Sequence, residues 1–212
     1  MKNYQPKSFE QSAVARQGYV FGCEHRFFSD YAKLLGGVLA DANWANVLKL
    51  AEMILEAHKS GGRIFLCGNG GSAANAMHIA NDFVYAVAEK TGSGIDAVSL
   101  SANTALLTCL GNDVGYENVY SEQLAVSGRS KDVLIVFSGS GNSQNNINAI
   151  HTAHSRGMRT AAILGYDGGL CKQIVGLPIH FNIADMQVAE DLQLAVGHMV
   201  MNWLKREISK DQ

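Results

Sequence analysis

No stretch of the chain is apolar for anything near the roughly 20 residues that a transmembrane helix needs; runs such as Val133 to Phe137 and Ala161 to Leu164 stop at the length of a strand. No membrane partner is expected. Charge of one sign is also lacking: 17 Lys and Arg against 19 Asp and Glu leave a net charge of −2, without the basic stripe that neutralises nucleic-acid phosphates. Nucleic acid is not an expected partner either. The N-terminus, Met-Lys-Asn-Tyr-Gln-Pro-Lys, has no apolar segment of the secretory kind, so the chain is read as cytoplasmic. Its four cysteines, Cys23, Cys67, Cys109 and Cys171, show no CxxC spacing; reduced structural thiols are the expectation. With 2 prolines, no Pro-, Gly- or Ser-rich linker and no repeat of fixed period, residues 1–212 read as a single domain.

What the chain does have is 47% hydrophobic residues, which excludes disorder, and 22 glycines. Residues 1 to about 60 read as N-terminal helices. Phe27, Phe28, Tyr31, Leu34, Leu35 and Val38 recur at helical steps, as do Trp44, Val47, Leu48, Ala51, Ile54 and Leu55, ending at Ser60-Gly61-Gly62. Strands and helices then alternate. Arg63 to Cys67, Asp96 to Leu100, Asp132 to Phe137, Thr160 to Leu164 and Leu177 to Phe181 read as strands. Helical patterns follow from Ser72, over Thr104 to Gly111 and Gln144 to Arg156, near Leu170, and from about Asp185 to Ile208. Continuously apolar strands between helices predict an α/β three-layer sandwich with a mostly parallel sheet covered on both faces. Ligands then belong at the carboxyl ends of the strands.

Two of the strand-to-helix turns are chemically distinctive. Gly68-Asn69-Gly70-Gly71-Ser72 can turn backbone N–H groups toward an anion at a helix N-terminus, although no Gly-Lys-Ser/Thr follows and the Rossmann spacing is absent. A tight connection is the plain alternative. Ser138-Gly139-Ser140-Gly141-Asn142-Ser143 adds three hydroxyls, more than the single serine that an N-cap requires.

Together with Ala76-Met-His78, Gly111-Asn-Asp113, Asp167-Gly-Gly169 and a last helix bearing Glu190 and His198, these motifs resemble the sugar isomerase (SIS) family of phosphoheptose isomerases, from about Gly61 to the C-terminus. The resemblance implies a flavodoxin-like SIS fold and an aldose-ketose isomerase acting on a sugar phosphate, with sedoheptulose 7-phosphate converted to D-glycero-D-manno-heptose 7-phosphate through an enediol. It implies a homotetramer with active sites at subunit interfaces. Carried over position by position, it implies Asp82 and His198 as the catalytic pair, and one zinc per subunit on His78, Asp82, Glu190 and His198. Substrate contacts would come from Asn69, Gly70, Ser72, Asn103, Ser138, Gly139, Ser140, Ser143, Asp185 and Glu190.

The chain departs from the family at several of these positions. Asp82 and Glu190 stand where Glu and Gln are usual, Asn103 where Asp is, Ala86 where Arg is, Ala73 where His often follows the loop, and Gly139 where Thr is common. His78 and Asp82, four residues apart, share a helix face. Glu190 is about 80° from His198 around its helix, and Asp191 about 20°, so helical geometry and the resemblance favour different carboxylates. The aromatic residues Tyr19, Phe21, Phe27, Phe28, Tyr31 and Trp44 suit an interface as well as a core. A non-catalytic sugar-phosphate-binding protein or scaffold, of the kind that associates with the replication initiator, is the alternative function.

Overall fold

The computed structural model describes residues 24–211; Tyr19, Phe21 and Cys23 lie outside them. Two helices, α1 (Glu24–Ala40) and α2 (Trp44–Lys59), precede β1 (Ile64–Cys67) and α3 (Gly71–Asn81). A single π-helical turn, Asp82–Ala86, continues α3 into the short α4 (Val87–Thr91). Then come β2 (Ala97–Ser99), α5 (Thr104–Asp113), a 3₁₀ turn at Tyr116–Asn118, α6 (Ser121–Ser127), β3 (Val133–Ser138) and α7 (Gln144–Ser155). The chain closes with β4 (Arg159–Leu164), α8 (Gly169–Ile174), β5 (Leu177–His180), α9 (Met186–Ile208) and a 3₁₀ turn at Ser209–Asp211.

All five strands pair in parallel, in the order β2-β1-β3-β4-β5. That order is flavodoxin-like, and its direction of winding reverses between β1 and β3, where ligands of such sheets bind. Alternating side chains explain why these strands read as unbroken apolar runs. Ile64, Leu66, Val133, Ile135 and Phe137 meet α2, α3 and α9 on one face, while Phe65, Cys67, Leu134 and Val136 meet α6 and α7 on the other. Both sheet faces are therefore closed by helices. Among the described residues, no helix is long and apolar enough to cross a membrane.

Burial has a chemical consequence for the thiols. Cys67, wholly enclosed, is pushed up by desolvation, and Cys171 is pushed up to about 11 by the same cause. Both stay protonated near neutrality. Cys109, by contrast, is exposed, and its thiol donates to Asp113.

The helices that carry the functional side chains approach very closely. A Cβ on Gly197 of α9 would fall 2.4 Å from Ile79 Cδ1 of α3, one residue from His198 and one from His78. Gly197→Ala is expected to lose about 1–2 kcal/mol in denaturant titration, since overpacking costs roughly 1–3 kcal/mol and helix propensity returns up to about 1. A more stable variant would mean that Ile79 swings freely aside.

Candidate active site

The two loops at the winding reversal face each other. Asn69, Gly70, Gly71, Ser72, Phe137, Ser138, Gly139, Ser140, Ser143, Met186 and Glu190 line one cleft of about 290 Å³. Helices α3 and α7 both start at its wall, so two positive helix ends converge there. Neither is capped by a side chain. Ser143 is the N-cap residue of α7 but makes no capping bond, which leaves its hydroxyl for a ligand. Ser138 and Ser140 are partly committed: their hydroxyls accept the backbone N–H groups of Gly141 at 3.0 Å and Asn142 at 3.3 Å. Each keeps its O–H proton to donate. The cleft can thus bind an anion through hydroxyls and amides, and among the described residues no Lys or Arg lines it.

A second cluster lies where α3 gives way to the π-helical turn. His78 Nε2 and His198 Nε2 are 3.0 Å apart, and Asp82 Oδ2 is 3.5 Å from each. The π-turn starts at Asp82, with the Val87 N–H bonded to Asp82 O. Its widened ring frees a carbonyl, Phe83 O, which accepts the Ile95 N–H at 3.0 Å. The side chain of Phe83 is buried beneath it, 1% exposed. Tertiary structure therefore holds the backbone from which Asp82 projects. Two imidazoles in direct contact must divide one donor and one acceptor between them, so a proton can pass along this group.

The same atoms suit a cation. Tetrahedral zinc with ligands at about 2.0–2.1 Å spaces its donors about 3.3 Å apart, close to the 3.0 and 3.5 Å edges here. Two neutral imidazoles and one carboxylate are an accepted donor set.

Several sequence-based assignments change. His78, Asp82 and His198 come together as a metal-competent group, but Glu190 does not join them. It sits about 12 Å back along α9, since eight residues rise 1.5 Å each. Its carboxylate instead lies against Gly71, where a Cβ would come within 2.1 Å of Oε2, and its carbonyl accepts Asn75 Nδ2. Asp191, which helical geometry had favoured, faces α1 and accepts the Tyr31 hydroxyl. Asn103 and Asp185 both stand at helix N-termini and cap them, with Asn103 Nδ2 and Asp185 Oδ2 taking no part in those bonds. Asn103 Oδ1 accepts Leu106 N–H at 3.1 Å and Asp185 Oδ1 accepts Val188 N–H at 3.0 Å, and neither lines the cleft.

Sequence reasoning missed the groups behind the first loop. Tyr120, Ser101, Tyr116 and Asn145 all bond to Gly68 or Asn69. Desolvation pushes the Tyr120 phenol up, so it stays a donor to the Gly68 carbonyl. One signal was available: Asn145 and Asn146 are polar at buried positions of α7.

Residues 26–165 match the SIS domain. The phosphoheptose isomerase of Pelodictyon phaeoclathratiforme is 36% identical over 180 residues, covering 83% of this chain and 84% of that protein. The solved phosphoheptose isomerase of Neisseria gonorrhoeae superposes with a TM-score of 0.78 at 30% identity, covering 86% of this chain and 98% of that one. The enzyme of the same name from Francisella tularensis gives a TM-score of 0.80 at 20% identity, covering 86% and 96%.

Proposed function

The chain belongs to the SIS domain family, among the phosphoheptose isomerases, and from that premise we propose that it interconverts sedoheptulose 7-phosphate and D-glycero-D-manno-heptose 7-phosphate. The observation that carries this reading is the contact of His78, Asp82 and His198 within 3.5 Å. Ketose–aldose exchange removes a proton from C1 and returns one to C2 through an enediol, while a proton moves between O1 and O2. A carboxylate and an imidazole in contact can carry both transfers. In this reading Asp82 moves the carbon-bound proton and His198 the hydroxyl proton. Ser138, Ser140 and Ser143 receive the phosphate, and Glu190 faces the sugar at the far wall of the cleft. We read residues 1–212 as one SIS domain working in the cytoplasm.

His78, Asp82 and His198 could hold zinc, which would supply a Lewis acid for the enediol oxygens in place of the proton that His198 Nε2 handles without it. Purified protein is expected to hold about one zinc per chain by elemental analysis, lost in His78→Ala. Retention of zinc by that variant would move the metal elsewhere.

A homotetramer with sites at subunit interfaces fits the surface around the cluster. The side chains of His78 and His198 are half-exposed, and Met77 and Met199 next to them in sequence, with Val84 and Tyr85 of the π-helical turn, are exposed apolar residues. The decisive experiment follows sedoheptulose 7-phosphate conversion. Turnover supports the isomerase, whereas binding without turnover would support the scaffold, a reading for which the isomerase relatives give no support.

A further inference from the structure

Asn69 of the first loop is held by side chains outside the proton-exchanging group: Asn145 and Tyr116 at short range and the Tyr120 hydroxyl at 3.4 Å. Asn69 Oδ1 accepts Asn145 Nδ2 at 2.8 Å and the Tyr116 hydroxyl at 2.9 Å, and Asn69 Nδ2 donates to Asn145 Oδ1 at 2.9 Å. This reciprocal amide pair has one orientation only. Asn145 Oδ1 also accepts the backbone N–H of Asn146 at 2.9 Å, so turning the Asn145 amide over would set an NH₂ group against a backbone N–H. With Asn145 fixed, a reversed Asn69 would face oxygen with oxygen. Asn145 is 2% exposed and lies in the first turn of α7, two residues past Ser143, so the pair also ties the loop after β1 to the start of α7.

The inventory of Asn69 is then nearly complete. Both lone pairs of its oxygen are engaged by Asn145 and Tyr116, with the Tyr120 hydroxyl a third and longer donor, and one of its two amide protons is committed to Asn145. A single N–H remains, on a residue that lines the cleft. We infer that Asn145 and Tyr116 are positioning residues that fix Asn69 as a one-proton donor. Its target is an acceptor oxygen of the bound sugar phosphate, such as a carbonyl or enediolate oxygen. This rests on the sugar-phosphate reading above. Asn69 cannot serve a substrate hydroxyl that needs an acceptor, which makes it a selective contact and more than a wall of the cleft.

Tyr116→Phe tests the clamp with little risk to folding, because the ring is 59% exposed and only its hydroxyl is removed. The kcat/KM for sedoheptulose 7-phosphate is expected to fall roughly 3- to 10-fold, the scale of one hydrogen bond. The Kd for inorganic phosphate, titrated calorimetrically, should stay within about twofold, because the serine loop is untouched. In an Asn69→Ala background, adding Tyr116→Phe should change kcat/KM by less than about twofold, and Asn145→Ala should behave the same way. An equal loss in both backgrounds would overturn the inference, as would a parallel loss of phosphate affinity. If the wild-type protein binds sedoheptulose 7-phosphate but does not turn it over, the isomerase reading fails. The same double-mutant comparison, made on the Kd for that sugar phosphate, then decides the clamp by itself.

Discussion

Asp82→Asn should slow conversion of sedoheptulose 7-phosphate by roughly 100- to 10,000-fold, the usual contribution of a positioned acid–base group. The substitution keeps the shape of the side chain and takes away its basicity. Asp82 Oδ2 lies 3.5 Å from both imidazoles, and among the described residues no second carboxylate joins the cluster to take its place. Thermal stability should hardly change, because the backbone at this point is fixed by the Phe83 side chain and the Ile95 N–H rather than by the carboxylate. Steady-state kinetics beside calorimetry of inorganic phosphate separates the alternatives: kcat collapses while phosphate affinity persists. Turnover within about threefold of wild type would remove Asp82 from the chemistry. Asp82→Glu is the informative companion, since it restores the longer carboxylate that the family usually carries. A misplacement of about 1 Å can cost roughly a hundredfold, so the sign of its effect reports whether the π-turn is matched to the shorter side chain.

The largest expected effect on stability is at Gly141. Its φ is +67°, and a Cβ there would fall 1.9 Å from the Gly168 carbonyl oxygen. The left-handed backbone costs a non-glycine residue about 1–2 kcal/mol, and overpacking against a carbonyl that cannot swing away adds about 1–3. Gly141→Ala should therefore lose about 2–5 kcal/mol in chemical denaturation, a large part of a typical total of about 5–15. Phosphate affinity should fall with it, because this residue joins two loops. Gly141 N–H reaches Ser138 Oγ at 3.0 Å, the Cys171 N–H reaches Gly141 O at 2.9 Å, and the neighbouring Asn142 Oδ1 accepts Leu170 N–H at 3.0 Å. Gly36→Ala is the control. That glycine lies inside α1 with nothing within 4 Å of its Cβ position, so the substitution should be neutral or slightly stabilising. Equal stability of the two variants would refute the packing account.

The sheet was legible in the sequence because strands buried on both faces leave continuous apolar runs, as Val133 to Phe137 does. Both cleft loops were legible for a related reason. Each follows such a strand directly, and glycines and serines stand out against it. The π-turn was not legible, since Asp82 to Ala86 carries the same apolar spacing as an α-helix and its altered bonding depends on Ile95, more than ten residues away in the chain. Asn103 and Asp185 show the opposite problem. A polar residue at the start of a helix suits a cap and a binding site equally well in sequence, and the bonds to Leu106 and Val188 add the cap that the sequence left open. The position of Glu190 needed the crossing of α3 and α9, because periodicity gives an angle around one helix but not the neighbour it meets.

Among the described residues, the donors that line the cleft are amides and hydroxyls, with no lysine or arginine. Mobile ions weaken attraction between separated charges, but they have little hold on short hydrogen bonds inside a recess. An anion bound this way is gripped at contact range, by hydrogen bonds with defined directions. Inorganic phosphate titrated at low and at high salt should therefore give nearly the same affinity.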